Sequence, residues 1–156
     1  MRENLIRLDD RSENFLLNIL KRGMVIYMKK ETEAWINIAI EDFQSANYLL
    51  EKSLYRMVCY HSQQTVERLS KAIIVQHDRD IPRTHNLLDL NKAVKELGYD
   101  SPLSDEDGVF LNGINRSLYP FEEVLLPSGD PTEKDAEKAL DVAKQMITWS
   151  RDILKF

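Results

Sequence analysis

The sequence predicts an all-α protein, an up-and-down bundle of four to five helices with a short N-terminal helix and a candidate β-strand extension. Apolar residues recur at three- and four-residue spacing through several long segments, the period of one helix face. Short stretches rich in Gly, Pro, Ser and Asp separate those segments, and only one brief run reads as a strand, so nothing supplies a sheet. At 156 residues the chain has the size of one domain able to bury a core. It divides into an extension, 1–30, and the bundle, 31–156.

In the extension, Ser12 is placed to cap a short helix with Phe15, Leu16, Ile19 and Leu20 on one side, and Gly23 to end it. Met24 to Met28, MVIYM, is β-prone. A lone strand leaves its backbone groups unpaired, so this run is either helix or coil, or it adds to a sheet of another chain.

The bundle opens with a helix over Glu33 to Lys52, striped by Trp35, Ile38/Ala39, Phe43, Ala46 and Leu49/Leu50. Asp42 lies within or beside that stripe; a buried acid is one reading of it, and the solvent flank is the expected one. After a tight turn at Ser53 comes Tyr55 to His77, without Gly or Pro, which should pack antiparallel on the first helix. One row of it is Val58, Ser62, Thr65/Val66, Leu69, Ala72/Ile73 and Gln76; a second, Tyr60, Gln64, Glu67, Lys71 and Ile74, is polar in its middle. Periodicity alone makes that second row a solvated face with a helpful Glu67–Lys71 pair.

Pro82 forces a loop, and a third helix begins at Thr84 or His85, with Leu87, Leu90, Val94 and Leu97 inward and Gly98 as its stop. Ser104 and Asp107 have capping-box spacing for a fourth helix, Phe110, Ile114 and Leu118 being its core edge and Pro120 its end. Gly108 and Gly113 each weaken it by about 1 kcal/mol relative to Ala. The fifth helix is predicted over Pro131 to Leu154, capped by Asp130 with Glu133 completing the box, and striped by Ala136, Ala139/Leu140, Ala143, Met146/Ile147, Ser150 and Leu154.

Charged residues at 30% and apolar residues at 43% place the chain among globular rather than disordered sequences. A net charge of −5 excludes a generally basic nucleic-acid coat while leaving room for a local basic site. Cys59 is the only cysteine, so no internal disulfide or cysteine metal cluster forms, and it is expected to pack as a small hydrophobe. No His, Cys or Asp cluster has metal-ligand spacing, no Gly-rich phosphate loop occurs, and no cofactor is expected. Apolar runs fall far short of the ~20 residues a membrane span needs, and Met1 to Phe15 lacks a secretory hydrophobic segment. The expected location is the cytoplasm. His61 and His77 are expected to be structural or solvated.

Three pieces in order resemble the HEPN domain family: Ala39 to Val75, with Gln63, Gln64, Glu67 and Lys71; Ile81 to Leu90, with Pro82, Thr84, His85 and Leu87; and NRSLYPFEE, Asn115 to Glu123. The resemblance covers about 31–156 and implies a helical bundle that dimerises. Many members are metal-independent ribonucleases using an Arg followed after four to six residues by His. Imidazole supplies a base near neutral pH and guanidinium a fork for phosphate. Here Arg116 stands at the family's fourth-helix position, but no His follows it within six residues. Arg79 and His85 have the right spacing, but across a loop where the family motif does not usually sit, so chance explains that pair better. His85 is expected to bond backbone or a carboxylate at a helix start, with phosphate contact as the lesser alternative.

The candidate nucleotide- or RNA-binding residues are Gln64, Glu67, Lys71, Arg79, Arg83, Arg116 and Tyr119, and the catalytic candidates are Arg116 and His85. Arg116 and Tyr119, three apart, face one way and suit a phosphate and a stacked base; equally, Tyr119 packs on the bundle end and Arg116 pairs an acid. Lys71, with Gln64 and Glu67, is expected to open onto the same furrow. Residues 14–27, NFLLNILKRGMVIY, further resemble the closing helix and strand of minimal nucleotidyltransferases, the usual companions of HEPN proteins. The expectation is a homodimeric nucleotide- or RNA-binding module acting with a nucleotidyltransferase partner, as part of a toxin–antitoxin pair. The alternatives are an endoribonuclease toxin and a structural dimerisation helper without ligand.

Overall fold

The computed structural model describes residues 27–117 and 129–156, with side chains through Ile114 and again from Gly129. Among the described residues there are five helices: α1 Lys30–Glu51, α2 Tyr55–Gln76, α3 Leu87–Glu96, α4 Asp105–Ser117 and α5 Glu133–Leu154. No strand occurs among the described residues, and none of their helices is long and apolar enough to cross a membrane. The Ser12–Gly23 helix and residues 24–26 of the MVIYM run lie outside the described residues; Tyr27 and Met28 are not in a strand.

α2 is the axis, touching all four other helices. The turn from α1 is closed by hydrogen bonds from Ser53 N to Leu50 O (3.0 Å) and Leu54 N to Leu49 O (3.1 Å), with Ser53 at φ 56°. Within Ser62–Gln76 only Gln64 and Arg68 escape full burial. The first row of α2 is thus core as expected, but the second is not a solvated face: Glu67, Lys71 and Ile74 are buried as well. A central helix enclosed by neighbours on several sides leaves only Tyr60 and Gln64 of that row half-buried.

α1 buries Thr32, Ile36, Ala39, Asp42 and Ala46. Ile38, expected inside, is 42% exposed, because it lies two residues, and so the far side of the helix, from Ile36. Asp42, expected at the solvent flank, is buried.

α3 begins at Leu87, later than Thr84 or His85. Asn86 is its cap, accepting from Leu88 N at 3.0 Å, while the Thr84 hydroxyl accepts from Asn86 N at 3.0 Å and holds 84–86 in a turn. Gly98, at φ 89°, stops the helix where expected. In α4 the Ser104 hydroxyl accepts from Asp107 N (3.1 Å) and donates to the Asp107 carboxylate (2.6 Å). Gly108 there is more than a weak point: a Cβ on it would stand 2.6 Å from Leu88 Cδ2, so its bare backbone lets α4 close on α3.

α5 starts at Glu133 rather than Pro131, and its cap is Thr132 rather than Asp130. Thr132 Oγ1 accepts from Asp135 N (3.3 Å) and Asp135 Oδ2 accepts from Thr132 N (2.8 Å), a complete capping box two residues beyond the predicted one. Pro131 is buried just outside the helix, and Asp130 pairs instead with Arg56. The small and apolar stripe Ala136, Ala139, Ala143, Met146, Ile147, Ser150 and Leu154 is buried as its spacing predicts.

Candidate functional site: two carboxylates beside the central helix

The chemistry-bearing residues gather where α2 meets α1 on one side and the loop before α3 on the other. Glu67 is their hub. Its Oε1 accepts from Lys71 Nζ at 2.6 Å and lies 2.9 Å from His85 Nδ1, and its Oε2 accepts from Gln63 Nε2 at 3.1 Å. Gln64 Nε2 donates in turn to Gln63 Oε1 at 2.8 Å. The helical period puts 63, 64, 67 and 71 along one side of α2, and the turn centred on Thr84 carries His85 to them. Burial pushes the Glu67 carboxyl upward, but hydrogen bonds from Lys71, His85 and Gln63 outweigh it and hold the group below its ordinary 4.5. Glu67 is therefore ionised at neutral pH.

Exposure divides this network. The Glu67 and Lys71 side chains are 4% and 10% exposed, and the ammonium of Lys71 also lies 5.5 Å from the centre of the Trp35 ring of α1. His85 is 75% exposed. With Nδ1 on the carboxylate, the ring turns its Nε2 edge to solvent. This is the arrangement by which a carboxylate selects a tautomer and leaves the other nitrogen to act.

A second carboxylate, Asp42 of α1, spans the α1–α2 seam. Its Oδ1 lies 2.9 Å from His61 Nδ1 and its Oδ2 accepts from Arg68. His61 packs edge-on against Tyr60 at 5.1 Å. The sequence reading missed this centre. Its available signals were an acid within the apolar stripe of α1 and a His and an Arg seven residues apart, two turns along one side of α2. His77, at the end of α2, pairs Nε2 with Tyr99 OH at 2.8 Å; burial and the Lys29 charge hold it below its ordinary 6.5 against the opposing pull of Asp78.

The structure joins Gln64, Glu67, Lys71 and His85 in one network. Arg79 and Arg83 are exposed on the loop that carries His85 and stand apart from the network's hydrogen bonds. Arg116 lies in α4, but its side chain, like the whole of Tyr119, is outside the described residues, so the common furrow is described only on its α2 side. There it is a covered floor rather than an open one. Among the described residues no group of three or more His, Cys, Asp or Glu could hold a metal ion.

The chain is matched by the family model for the HEPN domain over residues 32–153. Two solved structures share its fold at a TM-score of 0.60. The archaeal HEPN homologue ST0689 is 24% identical, with 81% of this chain and 99% of that one covered. TT1696 from Thermus thermophilus is 20% identical, with 81% and 100% covered. No curated protein matches the chain. By the extent of the family match, together with the helical bundle of the described residues, the chain belongs to the HEPN domain family.

Proposed function

We propose that residues 31–156 are a cytoplasmic, homodimeric module that binds a nucleotide or RNA and acts with a minimal nucleotidyltransferase, as one half of a toxin–antitoxin pair. The observation that carries the binding reading is the exposed His85 imidazole anchored by its Nδ1 to the buried, ionised Glu67. A ring held this way meets a phosphate oxygen through Nε2 without first losing rotamer freedom, and exposed Arg79 and Arg83 on the same loop add positive charge. Arg116 and Tyr119 are the further residues proposed to reach the ligand, for phosphate and base. The partner reading rests on the resemblance of residues 14–27 to the tail of a nucleotidyltransferase.

The same dyad favours one second reading, a metal-independent endoribonuclease, because a carboxylate-held imidazole can take a proton from a 2′-hydroxyl. Calorimetry separates these readings from a helper without ligand. ATP and a short single-stranded RNA are titrated into the full chain and into His85→Ala, whose substitution removes an exposed side chain. Binding heat that weakens at least tenfold in His85→Ala supports the proposal; no heat from either ligand overturns it. Incubation with tRNA and mRNA then tests for cleavage, which Arg116→Ala abolishes on the ribonuclease reading. Failure of a co-expressed nucleotidyltransferase to co-purify would count against the partner.

A further inference from the structure

The Asp42 centre repeats the construction of the Glu67 centre. In each, a buried carboxylate stands 2.9 Å from the Nδ1 of an imidazole that is less buried than the acid holding it: His85 on Glu67, His61 on Asp42. Asp42 differs in having a full cation as its second partner, half-buried Arg68. The Arg68 charge balances that of Asp42, so the pair presents no net negative charge to an approaching phosphate.

One strip of α2 joins the two centres. From Tyr60 to Gln76 the only positions of that helix short of full burial, among the described residues, are Tyr60, His61, Gln64 and Arg68. Gln64 lies three residues after His61 and four before Arg68, so the three share a side of the helix. The same Gln64 donates to Gln63, and Gln63 donates to Glu67, the carboxylate that holds His85. His61 and Arg68 therefore stand at the α1 edge of the strip and His85 at its other edge. Along the axis, His61 and Glu67 are separated by six residues, about 9 Å at 1.5 Å per residue.

We propose that His61 and Arg68, fixed by Asp42, bind a second phosphate of a strand whose first phosphate meets His85, which makes the ligand single-stranded RNA rather than a mononucleotide. The inference rests on the reading of His85 given above. With Nδ1 of His61 on Asp42, its Nε2 is the nitrogen left for a phosphate oxygen, and Arg68 adds a guanidinium, the planar fork that suits phosphate. Both side chains are held by a carboxylate of another helix, so the contact costs little rotamer freedom. A nucleoside monophosphate carries one phosphate and meets one centre at a time. RNA, at about 3.4 Å per stacked nucleotide, covers about 10 Å in three steps and reaches both. The second contact is then made within one bound strand, at high effective concentration.

Calorimetry on the full chain with AMP and a four-nucleotide single-stranded RNA tests this. The unaltered chain should bind the RNA roughly tenfold or more tighter than AMP. His61→Ala should cut that preference to about twofold and lower the slope of log affinity against log salt for RNA by about 0.7, the loss of one phosphate contact. Asp42→Asn with Arg68→Gln should do the same, and it removes both charges of the seam together, so no carboxylate is left without its cation. His85→Ala should weaken both ligands. Equal affinity of the unaltered chain for AMP and RNA, or a preference for RNA that survives both variants, would overturn the second phosphate site and leave the reading of His85 standing. Absence of binding by either ligand, or binding that His85→Ala does not weaken, would overturn the two together.

Discussion

His85 Nδ1 stands 2.9 Å from Glu67 Oε1, joining a side chain that is 75% exposed to one that is 4% exposed. A contact between two surface groups would be worth little and would leave both mobile. Here one partner is buried by α2, bonded from two other sides and unable to follow the ring, so the ring is held by the helix.

Lys71 and Glu67 form a buried pair, and such pairs are costly to break by halves. Lys71→Met leaves a buried carboxylate without its cation and should lower the free energy of unfolding by about 3 kcal/mol in urea titrations. Combining it with Glu67→Leu should recover most of that loss, because two apolar side chains of similar volume leave no uncompensated charge.

The lowered pKa of Glu67 sets an acid limb. Its contribution to stability is complete above the ordinary value of 4.5 and is lost as pH falls through the depressed folded value. Glu67→Gln resembles the protonated form, so the difference in unfolding free energy between it and the unaltered chain should be constant near neutral pH and shrink below pH 4.5. A difference independent of pH would contradict the ionised assignment.

His77 acts at milder acidity. Its folded pKa lies below 6.5, so the folded state resists the proton that the unfolded chain accepts. Stability should decline as pH falls through 6.5 toward the folded value and level off below it. Lys29 and Asp78 are the charges acting on it and Tyr99 its hydrogen-bond partner. In His77→Phe, urea midpoints between pH 7.5 and 5.5 should show a shallower decline.

Burial, with a smaller push from the Asp135 charge, raises the Cys59 thiol from 9.0 to about 12. A thiol so placed carries almost no thiolate near neutral pH and should not react with a thiol-specific disulfide reagent in the native protein, then react fully in denaturant. Native-state reaction at the rate of a free cysteine would place Cys59 outside the core.

Asp42 and Arg68 should show mutual dependence. In a double-mutant cycle with Asp42→Ala and Arg68→Ala, the coupling in unfolding free energy should reach about 1–3 kcal/mol, above that of exposed pairs. Coupling near zero would reduce the seam to surface electrostatics.

The helices were legible because their apolar period is long and uninterrupted: the first row of α2, from Val58 to Gln76, and the Ala136–Leu154 stripe are core as spaced. The ends were less so. DPTEKD offers two overlapping capping boxes, Asp130 with Glu133 and Thr132 with Asp135, and only packing, which buries Pro131 outside the helix, chooses the second. The state of Glu67 and Lys71 was illegible for another reason. Period identifies which residues share a face, but whether that face meets water depends on what the distant α1 and the loop at His85 bring against it. Asp42, His61 and Arg68 come from two helices, and no spacing within one of them reveals the meeting.

The most direct measurement follows the ring nitrogens of His85 by long-range proton–nitrogen NMR while a short single-stranded RNA is titrated into the full chain. His85 Nε2 should shift with added RNA while Nδ1 keeps the signature of a proton held by a carboxylate, and Glu67→Gln should erase that signature and weaken the response. An Nε2 resonance that stays in place at saturating RNA, or a Glu67→Gln variant that responds like the unaltered chain, would contradict the account.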